Sequence, residues 1–309
     1  MDTSDLTTFY VALKAGVNLT DLSFEYIIDA TNGLGAMKGI PAKDIAAAGM
    51  TDATAANTKY TIGNTNWHPY VEIEMAVQPG YRMDPVIKTY KWATMNIGAN
   101  SETEAGKYFM YGETTGITPS GSSFSFPDSK YYRADNNSWN QTKGFAWENC
   151  PWTKGTFILS SKENVFTKYV FDSKTSYLAE GFAADNKEIL DLADDAANAN
   201  WGGSWRMPTK WEYYALTSVK EWDSTNEGFK FGTSPNQIFL PLTGYGLGTD
   251  LTNAEWYGDY WSSSVSVDVP YRALSLSFDY DPDPNDDNGV NAFYGIDRFR
   301  GFPVRALSE

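Results

Sequence analysis

The stretch from Trp201 to Leu216 reads WGGSWRMPTKWEYYAL, and its reading organises the chain around it. Thr209 followed three positions later by Glu212 is a capping box: the threonine oxygen caps free amides of the first turn while the glutamate reaches back. Behind it, Trp211, Tyr214 and Ala215 fall at i, i+3 and i+4, which predicts a helix over about 209–219 with one bulky apolar face. Ahead of it, Trp201 and Trp205 bracket Gly202 and Gly203, a spacing that lets backbone approach packed rings closely. On pattern alone this is a well-capped core helix after a turn, with Trp205 and Trp211 expected in the core beside Trp261.

The company of this stretch is more specific. Downstream come Phe239-Leu240-Pro241-Leu242-Thr243-Gly244, then Tyr260-Trp261-Ser262-Ser263-Ser264, then Arg300-Gly301-Phe302-Pro303-Val304-Arg305. Upstream stand Trp92-Ala93-Thr94-Met95-Asn96-Ile97-Gly98 and Tyr108-Phe109-Met110-Tyr111-Gly112-Glu113. In this order the blocks resemble the C-type-lectin-like domain in its bacterial form, the major-paralogous (FISUMP) type of gut bacteria. They are also similar to the variable proteins of diversity-generating retroelements of such bacteria or their phages. The resemblance covers about residues 88 to 307. It implies an α+β fold class: two helices, short antiparallel strands and long loops. It also implies that a last strand near Pro303–Leu307 pairs with the first, near Lys91–Met95. Function does not follow from fold alone, because sites are grafted onto folds.

At 309 residues the chain has room for two domains with full cores. Hydrophobic content of 42% and aromatic content of 16% predict an aromatic-rich packed protein. A formal net charge of −15 argues against gripping nucleic-acid phosphates, which takes clustered Lys and Arg. No apolar run reaches membrane-spanning length, and no signal-peptide core follows Met1. Export with a leader since removed, or release without one, is the expectation. Cys150 is the only cysteine, so no intrachain disulfide forms; a buried structural thiol is expected.

Residues 1–85 read as a small β-sandwich module, immunoglobulin-like or fimbrillin-like, before the lectin-like domain of 86–309. Strands are expected at Leu6–Leu13, Leu19–Ile28, Lys59–Ile62 and Tyr70–Val77, with a short helix at Ile40–Gly49. Val71, Ile73 and Met75 alternate with Glu72, Glu74 and Ala76, the period of a half-buried strand. Residues 113–155 are rich in Ser, Thr, Asn, Gly and aromatics and read as a long surface insertion pinned by Phe124, Phe126, Tyr131, Tyr132, Trp139 and Trp147. Asn186–Asn200 is expected to be the domain's first helix. Its signals are Asp185 and Glu188 as a capping pair and the stripe Ile189, Leu192, Ala193, Ala196.

Chemistry is sparse. His68 is the only histidine, so neither a Ser-His-Asp system nor a zinc site is legible. The stretch Arg206-Met207-Pro208-Thr209 to Tyr213 is also similar to one shared by formylglycine-generating enzymes. Their oxidation uses a cysteine pair near the C-terminus, and no cysteine follows Pro151. The chain is expected not to be an enzyme and to need no cofactor. Asp279–Asn288 reads DYDPDPNDDN, whose alternating oxygens suit calcium. It lacks the EF-hand glutamate and the calcium-lectin triplets, so a solvated acidic loop without metal is the reading.

The segment 255–299 says most about function. Scaffold residues Trp256, Gly258, Trp261, Ala273, Leu274, Leu276 and Phe278 are interleaved with Tyr, Asp, Asn, Ser and Val. Codons for these differ from an asparagine codon at its adenines, the mixture that adenine-directed mutagenesis would leave. The ligand-binding candidates are Tyr257, Asp259, Ser266, Asp268, Tyr271, Asp279, Asp281, Asp283, Asp286, Asp287, Asn291, Tyr294 and Asp297. Such side chains also suit a paratope, combining rigid aromatic contact with adaptable hydrogen bonding; an ordinary polar loop region is the plain alternative. The expected protein is a ligand-binding display protein, extracellular, on a bacterial surface or a phage particle. Its partner would be a protein or a glycan. A structural cell-surface or fimbrial subunit, with the lectin-like domain only as scaffold, is the alternative.

Overall fold

The computed structural model of the chain describes residues 23–27, 36–41, 68–126, 144–154, 163–280 and 289–309. It divides into two compact units, Met1–Pro69 and Tyr70–Glu309. In the first, strand β1 (Ser23–Ile27) pairs antiparallel with β2 (Ala36–Pro41), with an irregularity between Phe24 and Tyr26. The strands expected at Leu6–Leu13 and Lys59–Ile62, and residues 42–49 of the expected helix, lie outside the described residues.

The second unit begins with a hairpin. β3 (Tyr70–Val77) and β4 (Val86–Ala93) pair from Tyr70↔Ala93 to Val77↔Val86. The division therefore falls at Pro69/Tyr70 rather than at 85, because strand pairing commits Tyr70–Val77 to the second unit. The alternation read in β3 holds: Ile73, Met75 and Val77 are buried while Glu72, Glu74 and Ala76 lie partly or fully open. β13 (Leu307–Ser308) joins the far side of β4 through Leu307↔Trp92, and Ala93 N–H donates to the Ala306 carbonyl.

The expected α+β class with two framing helices is corrected by this structure. Among the described residues the regular structure is predominantly β, in small antiparallel sheets, with only short helices between them. Helix α1 (Ala196–Trp201) has six residues and α2 (Lys210–Leu216) seven. Two further sheets are β5 (Lys220–Asp223), β6 (Gly228–Thr233) and β7 (Asn236–Pro241), and the ribbon β8 (Tyr245–Leu247) with β9 (Asp250–Thr252). The central sheet is β10 (Tyr257–Val265), β11 (Arg272–Asp279) and β12 (Val290–Asp297), in that order.

The long first helix fails for an identifiable reason. Residues 186–191 form no helix: Asn186 is left-handed with φ of 52°, Leu190 N–H donates to Ser263 O, and Val265 N–H donates to Glu188 O, so the end of β10 takes up this backbone. Ile189 and Leu192, assigned to a buried stripe, are exposed. Asp185 caps no helix; its carboxylate accepts from the amides of Tyr169 and Val170. The helix starts later, where Asp195 accepts from Ala197 and Asn198, and ends at Gly202 with φ of 69°. That left-handed backbone is the reason for glycine there.

The capping box at Thr209 is present: its hydroxyl accepts from Glu212 N–H, and Glu212 accepts from Thr209 N–H at 2.7 Å. The face it buries differs from the one expected. Glu212, Tyr213, Ala215 and Leu216 turn inward, while Trp211 is half-buried and Tyr214 exposed. Arg206 draws Glu212 in through a two-pronged pair, at 2.8 and 2.6 Å. Of the two tryptophans, only Trp205 joins Trp261 in a common core, with Phe109, Tyr111, Phe302 and Val304.

β10 carries core on both faces, which is why its burial is nearly continuous. Trp261 faces the cluster just named; its neighbour Tyr260 faces a second one holding Trp92, Tyr213, Leu276 and Phe278. Burying an aromatic of this size contributes about 2–3 kcal/mol, so β10 is held from both faces. The serines that follow are buried but bonded. Ser262 donates to Leu274 O, Ser263 to Pro208 O, and Ser264 accepts from Lys210 N–H. Around the described parts of the insertion, Phe124, Phe145 and Cys150 form a smaller aromatic core with half-buried Phe126 and Trp147. Tyr131, Tyr132 and Trp139 lie outside the described residues.

Candidate functional site

The pairing of the central sheet decides which candidates meet. Tyr257 pairs with Asp279, Asp259 with Ser277, Ser277 with Asn291, and Ser275 with Tyr294. Paired residues point to one side and residues two apart share it, so Tyr257, Asp259, Asp279, Asn291 and Tyr294 belong to a single face. The extra residue that β12 carries between Asn291 and Tyr294 keeps both on that face. Tyr257, Asp279, Asn291 and Tyr294 are exposed.

Other candidates collect elsewhere. Exposed Asp268 and half-buried Ser266 and Tyr271 lie in the β10–β11 connection, at the opposite end of the strands from Tyr257 and Asp279. Asp297 pairs with Arg272 at that same end, its Oδ1 3.5 Å from the guanidinium Nε. Asp281, Asp283, Asp286 and Asp287 lie outside the described residues, and so does most of the acidic loop weighed for calcium. Among the described residues, no group of three or more His, Cys, Asp or Glu is placed to hold a metal ion.

Asp259 departs from expectation. Instead of facing solvent it is only 4% exposed, at the β10 end of the row Asp259–Ser277–Asn291. On its other side, Thr243 Oγ1 accepts from Asp259 N–H, and Gly244 bridges Gly258. Loss of water pushes its carboxyl up to about 7; a hydrogen bond from Ser277 and the charge of Arg300 pull it back only in part. Its Oδ1 is buried without a hydrogen-bond partner, as is Nε of Arg300, whose guanidinium lies 4.4 Å over the Tyr245 ring. Neighbouring segments, not the strand itself, make this a buried position.

Aromatic residues outside the candidate set are the conspicuous additions to the surface. Trp256 is 59% exposed and meets the Tyr280 ring at 6.1 Å, with Trp222 on Tyr280 at 5.5 Å. Beside β12, Trp211, Tyr214 and Phe293 form a second group, with Phe293 at 5.1 Å from Trp211 and 5.3 Å from Tyr214. Trp256 sits in a turn just before β10 and Tyr280 just past β11, and positions outside the strands were the available signal. Burial pushes the Cys150 thiol up to about 12 and holds the His68 imidazole down near 4.

No protein-family model matches this chain, and no curated protein or solved structure matches it. No helix among the described residues is long and apolar enough to cross a membrane.

Proposed function

We propose that this protein is a ligand-binding display protein whose recognition surface is the open end of one face of the sheet β10–β11–β12, beyond the part of that face buried at Trp261 and Ala273. The observation that carries the reading is the register of that sheet. It gathers Tyr257, Asp279, Asn291 and Tyr294 on one face, above strands anchored by Trp261, Tyr260, Leu276 and Phe278. A rigid backbone with changeable side chains is the arrangement recognition needs, because little order is lost on binding. Tyr with Asp and Asn supplies broad ring contact and adaptable hydrogen bonds. The resemblance of the sequence to retroelement variable proteins adds diversification of 255–299 to the proposal. It also adds a place outside the cell, on a bacterial surface or a phage particle. Binding rather than catalysis is the role proposed, with a protein or glycan as partner.

The test compares this protein with versions differing only at Tyr257, Asp279, Asn291 and Tyr294 on a panel of surface proteins and glycans. Binding that changes partner while the melting temperature stays constant is the expected result. A partner profile indifferent to all four positions would sink the reading.

A further inference from the structure

β12 is the outer strand of the central sheet, and among the described residues its outward edge is unpaired. Arg298 N–H donates to Tyr271 O, toward β11. Amide direction alternates along a strand, so Ile296 and Tyr294 also bond inward and Gly295 and Asp297 point outward. The bond from Ser266 N–H to Arg272 O agrees, since it turns Arg272, the partner of Asp297, toward β10. Among the described residues no strand or isolated bridge pairs with this edge. The outward amide of Phe293 is already occupied, donating to Asn291 Oδ1 at 2.8 Å.

Gly295 strengthens the case. Its backbone is not in the left-handed region, and an added Cβ would meet nothing nearer than 3.8 Å. Neither conformation nor internal packing calls for glycine there, although glycine weakens a strand. Close approach of another backbone from outside would call for it.

Each side of the edge has its own chemistry. On the helix side lies the ledge of Trp211, Tyr214 and Phe293, with Tyr214 51% and Phe293 37% exposed. On the other side stand Asn291 and Tyr294, with Asp279 nearby, whose Oδ1 would lie 2.7 Å from a Cβ on Gly289. The chain carries a formal charge of −15, which disfavours a second copy on this edge and favours a basic partner.

We propose that the edge of β12 docks an extended segment of a basic partner protein, which adds to the sheet as a fourth strand through Gly295 and Asp297. Its side chains alternate: apolar ones rest on Trp211, Tyr214 and Phe293, and basic or hydrogen-bonding ones face Asn291, Tyr294 and Asp279. Main-chain hydrogen bonds supply affinity and the two flanks supply selectivity. This deepens the display reading and rests on it in taking a protein, not a glycan, as ligand.

The experiment uses the full chain and a synthetic peptide of alternating valine and lysine as long as β12. Two controls accompany it: the same residues in two blocks, and the alternating peptide N-methylated at every second amide. The alternating peptide is expected to bind and to slow hydrogen exchange at the Gly295 and Asp297 amides. Both controls are expected to bind about tenfold more weakly or worse. Phe293→Lys, a change at an exposed position, is expected to weaken binding by a similar factor with the melting temperature unchanged. Equal binding by the N-methylated peptide, or no binding by any peptide, overturns the inference. So does a dimer in sedimentation whose Gly295 amide is protected without peptide. Binding indifferent to N-methylation but lost in Tyr257→Ala and Asp279→Asn removes strand addition and leaves the display reading standing.

Discussion

Asp259→Asn is the most informative single change, because it separates burial from charge at one position. The carboxyl rises from its ordinary 3.8 to about 7. At about 1.4 kcal/mol per pH unit, that rise amounts to roughly 4 kcal/mol as an upper figure. The sign follows from which state holds the proton. Between pH 3.8 and 7 the unfolded chain is ionised while the folded one stays protonated. Folding then takes up a proton, so stability falls as pH rises through this window and levels off above 7. Asparagine keeps the shape and still accepts from Ser277, but it has no proton to lose. Its unpaired amide adds a cost that does not vary with pH, so the quantity to read is the difference between variant and parent at each pH. Urea unfolding of both proteins at pH 4.5, 6 and 8 measures it. The variant should gain on the parent by several kcal/mol from the lowest pH to the highest, or about 2–4 °C of melting temperature for each kcal/mol. Other carboxylates cancel in the comparison. A difference that stays flat from pH 4.5 to 8 would refute the reasoning and mean that water or Arg300 holds Asp259 ionised.

Trp205→Ala should cost about 3–5 kcal/mol in denaturant unfolding, and Trp211→Ala distinctly less, because only Trp205 is enclosed in the core with Trp261. Equal losses would contradict the placement of Trp205 inside the core and of Trp211 at the edge of one. Thr209→Ala should cost about 1 kcal/mol, with Thr209→Ser recovering most of it, since the hydroxyl alone caps Glu212 N–H. Cys150 should resist iodoacetamide at pH 8 in the native protein and react once urea unfolds it, as burial keeps its thiol protonated; prompt native alkylation would show the small aromatic core to be open.

Local features were read correctly because their partners sit a few residues apart. The Thr209–Glu212 box needs only one helical turn, and the alternation of Val71, Ile73 and Met75 needs only the strand's own period. The segment 186–200 carried a helical stripe just as plain, yet its first half forms no α-helix. Backbone bonds from Ser263 and Val265, more than sixty positions away, compete with the helix and win, and no local pattern carries that competitor. The inward face of α2 went the same way: spacing alone offered Trp211 and Tyr214, while the ion pair with Arg206 and the core around Tyr213 chose the adjacent stripe. At the candidate surface, residue types were legible in the sequence and placement was not. Register across three strands joined Tyr257 to Asp279 and Asn291 to Ser277, and the approach of Thr243, Gly244 and Arg300 sank Asp259 beneath them. The sequence by itself determined the capping box at Thr209, the alternation of β3 and which polar and aromatic side chains the segment 255–299 supplies. Tertiary structure decided which of them face water, because burial is set by segments distant in the chain.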